Sequence, residues 1–332
     1  MLPAMNINLK APFPYFGGKT MIADVVWKYL GDCKQYIEPF FGSGAVLLKR
    51  PPIKLDKIYE IVNDKDGFIA NVWRSIEFSP DETAKWCDWP INHADLNARR
   101  KTLIANETRL IDNLQNDDMW HDPKMAGYWI WAASCWIGSG LTRPNAIPHL
   151  TGDSGVHSKR PHLTGGKGVH SQIPYLDSRR KILDPTTDIY DCLNALSARL
   201  RNVKVVCGDW SRVCGGNWQD NNKPVGMFFD PPYMTAGRDE DICRHDSMTV
   251  GGDVEKWVLE RGKNPNYRIV VAGYDDEYKT LLDNDWISIA WSAAGGYANA
   301  GSRGEINRHR ERLFISPYCE NLKIDDLFAG VK

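Results

Sequence analysis

The segment Asp230-Pro231-Pro232-Tyr233 places a carboxylate, a proline carbonyl and an aromatic ring within four residues. Consecutive prolines fix φ and stiffen the turn, so the three groups form one rigid cluster. Such a cluster suits a planar base that bears an exocyclic amine. Asp230 and the Pro231 carbonyl can each accept one amino hydrogen while the ring of Tyr233 stacks on the base. The competing explanation is a strand-ending turn with a surface aspartate. A second cluster is Glu38-Pro39-Phe40-Phe41-Gly42-Ser43-Gly44-Ala45. Gly42 and Gly44 let backbone approach a ligand closely, and a helix after them would offer its N-terminal N–H groups. Asp64 stands 20 positions after Gly44, where nucleotide sites place the acid that binds ribose hydroxyls. Gly42, Gly44 and Asp64 together point to an adenosine-containing cofactor; the glycines alone would fit any turn before a helix.

These clusters need a sheet to hold them. Residues 35–41 (QYIEPFF) read as a strand, 42–50 as a glycine turn entering a helix, and 57–62 (KIYEIV) as a second strand ending at Asn63-Asp64. That order is a βαβ unit. Residues 71–135 then change to helical spacing with many charges and tryptophans, and 126–138 form the most apolar helical segment. Residues 139–176 are rich in Gly, His and Pro and contain a duplication, PHLTGDSGVHS (148–158) returning as PHLTGGKGVHS (161–171). Two copies are too few for a solenoid, and the glycine signals suggest a hairpin or paired loops. Helical spacing returns over 186–201. Strands follow at 203–210, 225–233, 267–274 and 311–318, the second stopped by Pro-Pro. The pattern predicts one α/β domain from residues 1–70 and 200–332, with 71–199 as a helical and loop-rich insert.

The chain has 332 residues, of which 42% are hydrophobic and 25% charged, and its mean hydropathy is -0.43. A mainly disordered or fibrous chain is excluded. No apolar run reaches the 18–20 or so residues that cross a bilayer, and the first residues lack the apolar core of a secretory signal. Eight scattered cysteines without a C-x-x-C pair fit reduced thiols and predict a cytoplasmic protein. The net charge of -1 excludes a globally basic nucleic-acid binder but not a local patch. Residues 143–183 hold seven Lys and Arg against two Asp, together with four of the eight histidines. Those histidines have no acidic or cysteine companions at ligand spacing, so no metal is expected.

Pro14-Tyr15-Phe16-Gly17-Gly18-Lys19, then EPFFGSGAV, then DPPY, in that order, resemble the Dam-type DNA adenine-N6 methyltransferases of the α class. Asn63-Asp64, Gly208-Asp209-Trp210, VVAGYDDEY (270–278) and INRHRERLFIS (306–316) extend the resemblance over nearly the whole chain. It implies a Rossmann-like methyltransferase sheet, S-adenosylmethionine as methyl donor and double-stranded DNA as partner, in a bacterial cell or one infected by a phage. The reaction it implies is direct transfer to N6 of a flipped-out adenine, with Asp230, Pro231 and Tyr233 catalytic. Cofactor contacts carried over are Tyr15, Lys19, Asp64 and Asp230. Lys19 can pair the methionine carboxylate. Glu38, Phe40, Gly42 and Gly44 belong to the glycine motif. Phe40 and Phe41 either wall the pocket or pack in the core, and Asp209 and Trp210 either floor the pocket or are a turn aspartate and a buried tryptophan.

In this family the insert reads the target. Leu141-Thr142-Arg143-Pro144-Asn145 resembles the start of the family's DNA-contacting hairpin, after which the duplicated segment departs from it. Arg143, Asn145, Lys159, Arg160 and Lys167 are the candidate DNA contacts; a solvated loop is the alternative. Few residues there suit major-groove reading, so specificity is either site-directed or relaxed. The polar stretch 234–252 suits a loop that closes over a base or an inert surface loop. The rivals are a DNA-binding module without catalysis, an RNA adenine or cytosine-N4 methyltransferase, and an enzyme that methylates a small amine. The oligomeric state is not legible.

Overall fold

The computed structural model describes residues 9–15, 17–52, 57–136, 140–143, 189–215, 223–233, 249–291 and 309–322. The chain divides into two compact units, one of residues 1–15, 66–201 and 205–208, the other of 16–65, 202–204 and 209–332. The strands are β1 (Gln35–Glu38), β2 (Tyr59–Asp64), β3 (Val203–Cys207), β4 (Val225–Phe229), β5 (Tyr267–Tyr274), β6 (Ile287–Ala290) and β7 (Glu311–Ile315). Helices α1 (Ala23–Leu30) and α2 (Ala45–Leu48) belong to the second unit. Helices α3 (Gly67–Phe78), α4 (Pro80–Cys87), α5 (His93–Asn116), α6 (Pro123–Cys135) and α7 (Ile189–Leu200) belong to the first. Helices α8 (Val250–Arg261) and α9 (Lys279–Leu282) lie again in the second.

The seven strands form one sheet in the order β3-β2-β1-β4-β5-β7-β6. β1 pairs in parallel with β2 on one side and β4 on the other, and β4 pairs in parallel with β5. β7 runs antiparallel to both β5 and β6. Every residue of β1 and β4 is buried, as expected of central parallel strands covered on both faces. The order reverses between β1 and β4, and in such sheets a ligand crevice lies beyond the carboxyl ends of the strands at that point. Glu38 closes β1, Asp64 closes β2, and Asp230 follows β4.

Helix α1 buries Ala23, Val26, Trp27 and Leu30, and the Trp27 indole donates to the Val46 carbonyl at 2.7 Å, fastening α1 to α2. Arg50 and Glu60 of β2 form an ion pair of 2.9 Å with side chains 3% and 2% exposed. The guanidinium also donates to the Cys33 carbonyl and lies over the rings of Trp27 and Tyr36.

In the helical unit the starts are chemically marked. Asp66, Asn92 and Asp122 accept from the N–H groups of Phe68, Asp95 and Met125, capping α3, α5 and α6. Proline opens α4 and α6, where its missing N–H costs nothing. Buried Arg74 donates to the carbonyls of Val205, Asp117 and Trp120. Buried Arg99 sits within 4.9 Å of the rings of Trp89, Tyr128 and Trp131.

The structure differs from the sequence reading in places: the strand expected over 203–210 ends at Cys207, and α1 and α9 were not expected. Residues 250–252, expected in a polar loop, open α8, where Gly251 and Gly252 disguise the helical period. The four-residue strand β6 was not expected, because its alternating burial is too short to stand out. The duplicated segment and residues 234–248 lie outside the described residues.

Candidate active site

The glycine turn leaves β1 with Gly42 at φ 48° and Gly44 at φ 63°, both in the left-handed region that a side chain penalises. Its end is stitched to β2. The Phe41 N–H donates to the Asn63 carbonyl at 2.9 Å, and the Asn63 amide donates to the Pro39 carbonyl at 3.0 Å. The Gly42 N–H donates to Asp64 Oδ2 at 2.8 Å, so the carboxylate expected to meet a ribose also shapes the glycine turn. Glu38 is buried, and its Oε2 accepts from the Tyr36 hydroxyl at 2.8 Å. Burial pushes the Glu38 carboxyl well above the usual range, the Tyr36 bond opposes this, and the nearby Asp230 adds to it.

Beside the turn stands a wall of rings. Phe40 is half-buried and nearly parallel to Trp210, with centroids 6.4 Å apart and planes 24° apart. Phe229 and Trp257 complete the group, 5.6 Å from each other. Phe41, by contrast, is a core residue at 3% exposure. Asp209 is exposed and caps the short turn Trp210–Val213 by accepting from the N–H and hydroxyl of Ser211.

The Asp-Pro-Pro-Tyr turn lies next to these groups in the same unit. Lys19 Nζ is 2.8 Å from Asp230 Oδ2 and donates to the Gly17 carbonyl at 2.8 Å. Lys19 is buried, 5.5 Å from the ring centre of Tyr233 and 5.8 Å from that of Trp291. The Tyr233 hydroxyl donates to Glu311 Oε2 at 2.7 Å, and its ring meets Tyr274 edge-on at 4.5 Å. Burial raises the Glu311 carboxyl, while Lys19 and the Tyr233 bond oppose the shift. Burial, Asp230 and Glu311 together raise the Tyr233 phenol.

Most of the candidate residues therefore gather at the carboxyl ends of β1, β2 and β4, with two departures. Lys19 engages Asp230, whereas the resemblance gave it the methionine carboxylate. Tyr15 belongs to the other unit, 42% exposed and edge-on to Phe13. In that unit Arg100 donates to the carbonyls of Leu141 and Arg143, fixing the turn on which Arg143 sits. Asn145, Lys159, Arg160 and Lys167 lie outside the described residues.

Residues 15–135 match the family model of D12 class N6 adenine-specific DNA methyltransferases. Over that span the chain is similar to that family. The methyltransferase transfers a methyl group from S-adenosylmethionine to adenine N6 in DNA. Its matched span holds Lys19, the glycine turn and Asp64, while the Asp-Pro-Pro-Tyr turn comes later in the chain. No curated protein matches the chain. Among the described residues no three His, Cys, Asp or Glu gather as a metal site, and no helix is long and apolar enough to cross a membrane.

Site residues missed by the sequence reading are Tyr274, Glu311, Trp257 and Trp291. The first two lie in segments whose family likeness was visible, yet nothing in the sequence assigned them a role. The two tryptophans carried no signal.

Proposed function

We propose that the Asp230–Tyr233 turn holds an adenine flipped out of double-stranded DNA, and that the glycine turn and its ring wall hold the methyl donor. The carrying observation is the Lys19–Asp230 ion pair beside the Tyr233 ring, at the sheet's reversal point. Lys19 engages Oδ2, so Oδ1 of Asp230 is the atom that accepts an adenine amino hydrogen. The Pro231 carbonyl accepts the other. An anchored carboxylate needs no rearrangement when the base arrives, which is how a preorganised site lowers a barrier.

Flipping a base costs a few kcal/mol, and stacking on Tyr233 returns about 1–3 kcal/mol. The amino nitrogen is a poor nucleophile because its lone pair is delocalised into the ring. Bonds to Asp230 and Pro231 favour a pyramidal nitrogen whose lone pair points at the methyl carbon. Bound S-adenosylmethionine supplies that methyl group on a sulfonium sulfur. The chain's residues fit such a donor: Asp64 suits ribose hydroxyls, Phe40 and Trp210 offer flat faces for the adenine, and Gly42 and Gly44 leave room at the backbone. Glu38, Asp209 and Tyr15 are further cofactor candidates. Asp230 need not be a strong base, since the nitrogen loses its proton readily once methylated. Positioning supplies most of the rate.

Arg143 begins the DNA-contacting segment in this reading, with Asn145, Lys159, Arg160 and Lys167 beyond it, and recognition is either site-directed or relaxed. The enzyme works in the cytoplasm, where its DNA substrate lies.

Transfer of labelled methyl to unmethylated duplex DNA, wild type beside Asp230→Ala with product nucleosides identified, tests the proposal. N6-methyladenine from the wild type and none from the variant is the expected outcome. Equal transfer by the variant sinks the role given to Asp230. Salt-sensitive DNA binding without transfer would favour an RNA substrate or a binding module.

A further inference from the structure

We propose that Glu311 is a positioning residue that sets the angle at which Tyr233 meets the target base. The inference rests on reading Tyr233 as the stacking platform. Tyr274 of β5 and Glu311 of β7 are direct partners across the antiparallel pair. Residues directly opposite each other in such a pair project to the same face of the sheet. Tyr233 leaves the Pro-Pro turn and meets both of them.

The two contacts remove different freedoms. A bond to the para hydroxyl fixes the direction of the ring's long axis, because rotation about that axis leaves the oxygen in place. It does not fix the rotation itself, which for a tyrosine is broad and two-fold. The edge contact with Tyr274, at 70° between planes, restricts that rotation. Glu311 thus supplies the tilt and Tyr274 the twist, and the proline pair holds the backbone end. The bond is 2.7 Å long, a well-formed length between two oxygens, so the tether is stiff.

A purely structural role for the Glu311 side chain is a poor explanation. The residue's link to the β6 side of the sheet is a backbone bond, from the Trp291 N–H to the Glu311 carbonyl at 3.2 Å. That bond survives any side-chain replacement. The carboxylate reaches away from it to a hydroxyl 78 residues earlier in the chain.

The test compares Glu311→Ala, Glu311→Gln, Tyr233→Phe and the double variant Tyr233→Phe/Glu311→Ala on duplex DNA. Glu311→Ala should lower kcat roughly ten- to a hundredfold, the scale of losing alignment at a reacting centre. Affinities for DNA and for S-adenosylmethionine should stay at wild-type values. Tyr233→Phe should show a similar loss, the double variant no further loss, and Glu311→Gln, which keeps an acceptor oxygen, substantial rescue. Wild-type kcat in Glu311→Ala overturns the inference, as does a double variant whose losses multiply. If Glu311→Ala does not fold, Glu311→Gln alone and combined with Tyr233→Phe carries the same cycle, and multiplying losses there overturn it too. Tyr233→Ala separates the two layers. Wild-type turnover in that variant removes the stacking platform itself, whereas an inactive Tyr233→Ala beside a fully active Glu311→Ala removes only the positioning role.

Discussion

Buried Lys19 and partly exposed Asp230 form an ion pair, 2.8 Å from Nζ to Oδ2 and 211 positions apart in sequence. The pair joins the segment before α1 to the end of β4, so two distant motifs meet in one cluster. In the proposed function it leaves Oδ1 of Asp230 to meet the substrate.

Removing that lysine tests the assignment. Lys19→Ala leaves the carboxylate beside aromatic rings without its cation, and turnover at saturating S-adenosylmethionine should fall about a hundredfold. The donor's dissociation constant, measured by calorimetry, should change much less. A large rise in that constant with kcat intact would return Lys19 to the methionine carboxylate and dismiss its role at Asp230.

The glycine turn makes a second prediction. Alanine at Gly42 or Gly44 must adopt φ near 48° or 63°, at roughly 1–2 kcal/mol per residue. Each variant should melt earlier and bind the methyl donor more weakly. Normal donor affinity in both would show that the turn's shape is not needed for the ligand.

The difference between these two predictions reflects what was legible from sequence. Gly42, Gly44 and Asp64 belong to one βαβ unit, where short-range spacing fixes geometry, and β4 was readable because an apolar run meets two prolines. The tie between Tyr233 and Glu311 depends on which residue of β7 faces Tyr274, and a pairing register between segments 37 positions apart leaves no local signature. Helix α8 was hidden for a different reason. Gly251 and Gly252 lower helix propensity, yet Val254 and Val258, four apart and both fully buried, hold the helix through packing. Phe40 and Phe41 are adjacent and chemically identical, so only the structure separates the half-buried ring from the core one.

The buried Arg50–Glu60 pair should govern stability rather than catalysis. Glu60→Gln strands a guanidinium among Trp27, Tyr36 and Cys33, and breaking a buried pair in this way costs about 3–5 kcal/mol. Denaturant unfolding should show that loss while turnover of the folded fraction stays normal. A change below about 1 kcal/mol, the range of exposed pairs, would mean that water reaches the site.

Glu77 supplies a pH test in the helical unit. Burial raises its carboxyl to about 7, against a weaker opposing pull from Arg74. A raised acid holds its proton in the folded state at pH values where the unfolded chain has lost it. Its stabilising contribution is therefore complete below about 4.3, the unfolded value, and is lost as pH climbs through about 7. Glu77→Gln should flatten the fall in stability between those values and leave the variant no less stable than wild type at pH 8. An unchanged slope would show that Glu77 titrates as an exposed carboxyl.

The proposed DNA contact of Arg143 makes a further prediction. Its carbonyl and that of Leu141 are held by Arg100, and its N–H donates to the Gly140 carbonyl at 3.0 Å. With the backbone so fixed, its side chain is presented at the start of the basic segment. A phosphate contact would make Arg143→Ala weaken DNA binding about equally for all sequences and reduce the steepness of log affinity against log salt by about one unit. A base contact would instead cost about 1–3 kcal/mol on one sequence and spare the others. Titrating random and single-motif duplexes at several salt concentrations separates these outcomes, and relaxed recognition requires the first. Unaltered affinity and slope would remove Arg143 from the DNA interface. Arg100→Ala should then mimic Arg143→Ala only if the fixed turn, and not the arginine's charge alone, is what the DNA meets.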